Sequence, residues 1–569
     1  MFPVPLWLSL LCALCILCAL PLLAPRYEAR GEGDLTMDFE QMPLLHHNPG
    51  GLDFGPVRLL RYEYSTDRPA PGGSLRLTME WSGETEGLTL TVRLVSPAVH
   101  LRHLPDGWAK VQVPLRPRVE VVLPVPEGTS PGPSLVAVGV EGPEGRLSPR
   151  LPSGRTLGTI YLRPVWVQAV EPPPDEMLAV WADGTVRLHR VRTSQPTPTL
   201  LEVRLDWSAT RPPVGNWGVN LRLIDPAGNE WARLDVQPGY GFLPTGLWPV
   251  GRRLPDRYLL PLPDGTPPGS AYTLEVTLYR MTTWEKVGAI AQTVPLTQTT
   301  FRPDAPVRAA LGGGLALSRM EVPGQVQQGE TLRWTAWWLV RGEPRAAQAE
   351  WRLEGPTVLS ATLPLAPGSD PADWPVGAWV AGKAALRVPP DAPPGSYTLI
   401  LTLLDADGRP LGVYTHPRAV EVEGRARVWE LPPMEREVGA TFGGMIELAG
   451  YDLEREGATL RLTLHWRALT TPDRDYKFFV HVADPATARP VAQMDGMPRG
   501  YTYPTGRWVA GEVVSDPVEV SLEGVPPGEY ELAVGWYDPE TGERLEARDA
   551  AGDLLPDGRV VLPDRIKVP

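Results

Sequence analysis

Two short stretches of this chain spell out catalytic patterns almost letter for letter. Gly128-Thr-Ser130-Pro-Gly132 matches the Gly-x-Ser-x-Gly nucleophile elbow. That chemistry uses the backbone N–H of the residue after the serine to hold an oxyanion, and here that residue is Pro131, which has none. Gly377-Ala-Trp-Val-Ala-Gly382-Lys383-Ala384 nearly matches a phosphate-binding loop, but Ala384 stands where a hydroxyl would hold magnesium. Gly246-Leu-Trp-Pro-Val-Gly251 and Gly506-Arg-Trp-Val-Ala-Gly511 repeat its Gly-x-Trp-x-x-Gly frame without the lysine. A structural loop holding a tryptophan accounts for all three.

Metal and redox chemistry fare no better. Cys12, Cys15 and Cys18 have C-x-x-C spacing, yet they lie among Leu, Ala and Ile with no polar groups to orient a metal. Asp405 and Asp407 begin like a calcium loop but lack the later oxygen ligands, so a plain Asx-type turn is expected. The eight histidines, His465 and His481 among them, show no three-ligand spacing. No catalytic residue, metal site or cofactor is expected, and the chain is expected not to be an enzyme.

Aromatic residues offer a binding surface instead. Gly239-Tyr240-Gly-Phe242-Leu-Pro-Thr-Gly-Leu-Trp248 is similar to Gly500-Tyr501-Thr-Tyr503-Pro-Thr-Gly-Arg-Trp508. Beside Asp495, Arg499 and Arg507, such rings could stack on sugar faces while polar neighbours bond hydroxyls. The six aromatics Tyr240, Phe242, Trp248, Tyr501, Tyr503 and Trp508 are therefore the candidate ligand-binding residues. The competing reading is that they plug the open end of a β-sandwich.

The elements that must position these loops recur through the chain. Leu75-Arg-Leu-Thr-Met-Glu-Trp81, Leu201-Glu-Val-Arg-Leu-Asp-Trp207, Leu332-Arg-Trp-Thr-Ala-Trp-Trp338 and Leu460-Arg-Leu-Thr-Leu-His-Trp466 share one frame, with tryptophans 126, 131 and 128 residues apart. In the last of them the apolar residues alternate, as on a strand with one buried face. A second marker, Pro-Gly, follows in each copy at Gly132, Gly269, Gly395 and Gly528. Tyr272, Tyr397 and Tyr530 come just after the last three, while the first copy has Leu135. An early buried tryptophan and a late tyrosine whose hydroxyl bonds the backbone upstream are marks of immunoglobulin-like sandwiches.

A period near 130 residues is domain-sized. The chain has 569 residues with 67 Pro and 57 Gly, which favours short strands over helices. The expected fold is all-β: four tandem immunoglobulin-like sandwiches over residues 51–165, 166–305, 306–426 and 427–569, after a tether at 27–50. The formal net charge of −13 and the lack of a basic run argue against nucleic acid as a partner. Phe2–Ala24 is uncharged and long enough to cross a bilayer as a helix. A retained anchor within residues 1–26 is favoured over a cleaved signal, because no Lys or Arg precedes it and Pro25 spoils the cut. Arg26 and Arg30 follow it, which conflicts with the positive-inside tendency; the domains are still placed on the extracytoplasmic side by analogy with the fold type.

The last repeat resembles a known module. Ala449-Gly-Tyr-Asp-Leu453, Leu462-Thr-Leu-His-Trp-Arg-Ala468, Asp475-Tyr-Lys-Phe-Phe-Val-His-Val482 and Val534-Gly-Trp-Tyr-Asp-Pro539 are similar to the β-sandwich appended to family-39-type glycosyltransferases, which use polyprenyl-phosphate sugars. The resemblance covers about residues 434–569, and the multi-pass catalytic region of that family has no counterpart here. It implies an accessory extracytoplasmic part of a glycosyltransferase system, with a membrane glycosyltransferase as partner. The preferred expectation is a non-enzymatic, membrane-anchored cell-envelope protein, serving as spacer, adhesion or glycan-contacting module. A glycoside hydrolase is the least favoured reading.

Overall fold

The computed structural model describes residues 52–95, 109–150, 160–241 and 245–569, the short strands Tyr27–Arg30 and Asp34–Met37, and positions 156 and 243. The apolar segment Phe2–Ala24 lies outside the described residues. Among the described residues no helix is long and apolar enough to cross a membrane. The regular structure of the described residues is β-strand, with only short 3-10 turns between.

The chain divides into two compact units, residues 1–301 with 367–370, and residues 302–366 with 371–569. The first holds two pairs of sheets, I and II, and the second holds pairs III and IV. In pair I, the sheet Leu52–Asp53, Val57–Tyr64, Ser74–Gly83, Arg118–Pro124 shares one core with the sheet built around Thr89–Val95 and Gly132–Gly142. Pair III places Ala309–Gly312, Leu315–Glu321, Thr331–Val340 and Trp379–Arg387 against a sheet centred on Ala346–Glu354 and Gly395–Asp405. Pair IV packs the sheet containing Ile446–Glu456, Thr459–Ala468 and Val513–Ser521 onto Pro490–Gly496, Lys477–Ala483, Gly528–Tyr537 and Arg559–Val568. Pair II follows the same plan, with Leu200–Ala209 and Gly269–Arg280 on opposite sheets. Alternation explains these cores: on Thr459–Ala468, Leu460, Leu462, Leu464 and Trp466 are all 0–1% exposed while Arg461 faces solvent.

The sequence repeat proves to be a repeat of register. Trp81, Trp207, Trp338 and Trp466 are buried, and each lies opposite a leucine of the preceding strand: Leu59, Leu188, Leu317 and Leu448. In all four ladders the next residue is bulged out, namely Leu60, His189, Ser318 and Ala449. A bulge adds local twist, which lets the strand wrap over the bulky indole beside it.

Two further devices recur. A tight turn closes with Thr129, Thr266, Ala392 and Val525 N–H each donating to the carbonyl three residues back, at 3.1 Å in all four. The serine-elbow lookalike Gly128–Gly132 is thus one copy of a structural turn, with Thr129 Oγ1 donating to Pro126 O at 2.7 Å. The hydroxyls of Tyr272, Tyr397 and Tyr530 donate to Pro267 O, Pro393 O and Pro526 O at 2.9, 2.8 and 2.9 Å. Leu135 stands fully buried at that corner in pair I and has no hydroxyl to offer.

Candidate functional site

The two aromatic loops of pairs II and IV are built alike down to single hydrogen bonds. Leu243 N–H donates to Pro238 O and Tyr503 N–H to Pro498 O, at 3.2 and 3.3 Å. Thr245 Oγ1 donates to Gly215 O and accepts from Trp217 N–H; Thr505 Oγ1 donates to Arg474 O and accepts from Tyr476 N–H. The indoles of Trp248 and Trp508 donate to Leu243 O and Tyr503 O, at 3.0 and 3.1 Å. These bonds correct the correspondence drawn from residue types. Pro238 to Trp248 matches Pro498 to Trp508 without a gap, so Tyr503 occupies the place of Leu243, and Tyr240 that of Gly500.

A buried carboxylate anchors each loop entry. Asp256 accepts from Gly239 N–H at 3.1 Å, and Asp516 accepts from Arg499 N–H at 2.8 Å. Both are 1–2% exposed, and burial pushes both up to about 6. Tyr240 in one loop, and Arg499 and Tyr501 in the other, take positive φ of 55°, 51° and 70°. Side chains rarely occupy that region, so the anchored carboxylates hold the turn against local strain.

The loop frame also resolves the phosphate-loop lookalike. Gly251, Gly377 and Gly511 N–H donate to the carbonyl two residues after the core tryptophan, from Ala209, Val340 and Ala468. The partner of Trp248 and Trp508 in pair III is therefore Trp374, in Trp374-Pro-Val-Gly377, and not Trp379 as the glycine spacing suggested. Gly382 and Lys383 lie inside the strand Trp379–Arg387, with no helix following. At Gly382 a Cβ would sit 1.8 Å from Leu365 O, so glycine is required there by a close strand crossing.

The six candidate aromatics separate by burial. Trp248 and Trp508 are 2% and 0% exposed and pack 6.0 Å from the core rings of Trp207 and Trp536 respectively. Tyr240 is half-buried, its hydroxyl accepting from Leu259 N–H at 2.8 Å. Phe242 lies outside the described residues. Tyr503 is 6% exposed and belongs to the joint between pairs III and IV. Its hydroxyl donates to Glu512 and accepts from Arg427 Nη1 at 3.1 Å. Arg427 also pairs with Glu512, and its Nη2 donates to Pro390 O of pair III at 2.7 Å. Burial, then the Glu512 bond, raises the Tyr503 phenol well above its usual range.

Of the five described aromatics, Tyr501 alone presents its ring to solvent, at 56% exposure, with Lys477 Nζ 5.4 Å from the centroid. Lys477 pairs across the sheet with Tyr537, and Asp495 pairs with Phe479 on the same face. Burial, then the Asp495 charge, raises the Tyr537 phenol. A short strip of aromatic, cationic and anionic groups thus runs along this end of pair IV.

A second cluster escaped the sequence reading. On the outer face of pair III, Trp337 and Trp379 stack at 5.8 Å with rings 22° apart. Arg319 lies over Trp337 at 4.7 Å and Arg302 over Trp379 at 4.9 Å, and the Trp379 indole donates to the bulge residue Ser318 at 3.0 Å. The signal was available in the repeat. The residue before the core tryptophan is Glu80, Asp206 or His465 in the other copies and Trp337 here. Among the described residues no group of His, Cys, Asp and Glu is placed to hold a metal ion.

No family model and no curated protein matches this chain. Solved structures align only distantly. Escherichia coli alpha-2-macroglobulin activated by porcine elastase is 12% identical over 87% of this chain and 44% of its own, with a TM-score of 0.17. Dimeric latent PorU from Porphyromonas gingivalis is 12% identical over 70% of this chain and 35% of its own, with a TM-score of 0.19. A calcium-binding mutant of Bacteroides uniformis beta-glucuronidase 2 is 12% identical over 41% and 28%, with a TM-score of 0.15. This chain spans less than half the length of each, and likenesses this slight carry no argument about fold or function.

Proposed function

We propose that this chain is a non-enzymatic, membrane-anchored cell-envelope protein of four tandem immunoglobulin-like sandwiches, which spaces a glycan-contacting surface away from the membrane. One observation carries the reading: the residue types that suggested chemistry are consumed by a scaffold repeated bond for bond. The serine elbow is a repeated turn, the lysine of the phosphate-loop lookalike sits in a strand, and Trp248, Trp508 and Tyr503 hold loops and a joint. The strip around Tyr501 is the part of the aromatic loop left to meet a ligand. Its ring has one face toward Lys477 and offers the other for stacking on a sugar, with Asp495 and Lys477 as hydrogen-bonding neighbours.

Retention of the full chain on immobilised cell-wall polysaccharide is the direct test. Tyr501→Ala should reduce retention at least several-fold with the melting temperature unchanged; equal retention would refute the platform. Protease treatment of intact cells checks the placement, which requires the sandwiches to be cut from outside.

A further inference from the structure

Beside the tryptophan stack of pair III opens a groove of about 630 Å³, lined by Arg302, Asp304, Arg308, Ser318, Arg319 and Trp379 among others. Arg308 and Arg319 bring positive charge to the groove, on a chain whose formal net charge is −13. The guanidinium carbons of Arg302 and Arg319 lie over the indoles of Trp379 and Trp337, 4.9 and 4.7 Å from the ring centroids. Stacking also fixes rotamers that a free arginine would lose entropy in adopting on binding. Arg319 meets Glu321, but both side chains of that pair are more than half exposed, so exchanging Glu321 for another oxyanion costs little. Arg308 reaches Tyr414 Oη at 3.4 Å, a long contact.

The equivalent outer faces of the repeat are closed by internal pairs. In pair II, Asp206 bonds Arg253, which also meets Glu171; in pair IV, His465 bonds Asp452 and Ser515. The scaffold thus folds without a tryptophan ladder there, and the ladder with its groove is an addition specific to pair III. It sits on the bulge at Ser318, the kind of distortion that re-aims side chains beside sites.

We propose that this groove binds a carboxylate or sulfate oxyanion carried by an acidic saccharide. Guanidinium edges suit the two oxygens of such a group. The volume is in the range that holds a ligand of one or more sugar rings, and a lone inorganic ion would leave most of it empty. The site is separate from the Tyr501 strip and does not depend on it.

Calorimetry on the full chain tests this with four probes: a galacturonate oligomer, galacturonate monomer, inorganic sulfate and neutral dextran. The acidic oligomer should bind, weaken as salt rises, and bind more tightly than sulfate; neutral dextran should not compete. Arg308→Gln and Arg319→Gln should each weaken the oligomer about tenfold with unchanged melting temperature. Arg308→Lys, which keeps the charge but loses the planar fork, should also weaken it. Tyr501→Ala should leave it unchanged. Absence of oligomer binding, wild-type affinity in all three arginine variants, or sulfate binding as tightly as the oligomer would each overturn the proposal.

Discussion

Asp256 and Asp516 are the residues whose protonation most directly reports on the fold. Their folded-state acidity is displaced upward to about 6 by burial, above the unfolded value near 3.8. Between those values the native state binds more protons than the unfolded chain, so each carboxyl favours folding more as pH falls from about 7 toward about 4. His481, pushed down by burial, works in the opposite sense below its ordinary value of 6.5. Comparison with a variant removes that opposition. The stability difference between wild type and Asp516→Asn should change by on the order of 2–3 kcal/mol between pH 7 and pH 4, in favour of the wild type at the lower pH. Urea titrations across that range measure it, and a flat difference would mean the carboxyl is not shifted. At the tyrosine corners, Tyr397→Phe removes one hydroxyl donated to Pro393 O at 2.8 Å. It should cost about 1 kcal/mol in the unfolding transition of pair III.

Among the elements, the segment joining pairs III and IV is held by a buried ion pair and several bonds to backbone carbonyls. Arg427 is 7% and Glu512 2% exposed at the side chain, and Arg427 touches Tyr503, Arg507 O and Pro390 O besides. Arg387 adds a bond to Gly506 O at 2.6 Å, and Glu330 meets Arg507 at 3.4 Å. Arg427→Ala leaves Glu512 buried without its cation and should destabilise the joint by about 3–5 kcal/mol. Limited proteolysis within residues 424–435 should then run faster than in the wild type; an unchanged rate would show the joint does not rely on this pair. The same geometry explains why Tyr503 reads as a ligand residue in sequence. A Tyr beside Arg and Glu is the composition of a binding surface and equally of a polar joint, and only the partner across the gap distinguishes them.

At the scale of the whole molecule, the separate cores of pairs I, III and IV imply separate unfolding events. Trp466 is 0% exposed and packs 4.9 Å from Trp536 in the core of pair IV alone. Trp466→Ala should therefore lower one calorimetric transition, by the equivalent of about 3–5 kcal/mol, and leave the others near their wild-type temperatures. A uniform shift of the whole endotherm would instead mean the cores unfold as one cooperative body.

The sequence by itself determined the all-β class, the four core tryptophans, the turn at each Pro-Gly marker and the tyrosines of the corners. These are local: alternation sets which face is buried, and turn residues set backbone angles wherever they occur. Register was out of reach. The common bulge opposite each tryptophan, the match of Trp374 with Trp248 and Trp508, and the gapless pairing of the aromatic loops depend on which carbonyl a distant N–H meets. Burial of Trp508 and Tyr503, against exposure of Tyr501 two residues from Tyr503, was equally undecided until the neighbouring strands were in place. A side chain's type gives the contacts it can make, and the tertiary structure alone decides whether protein has already made them.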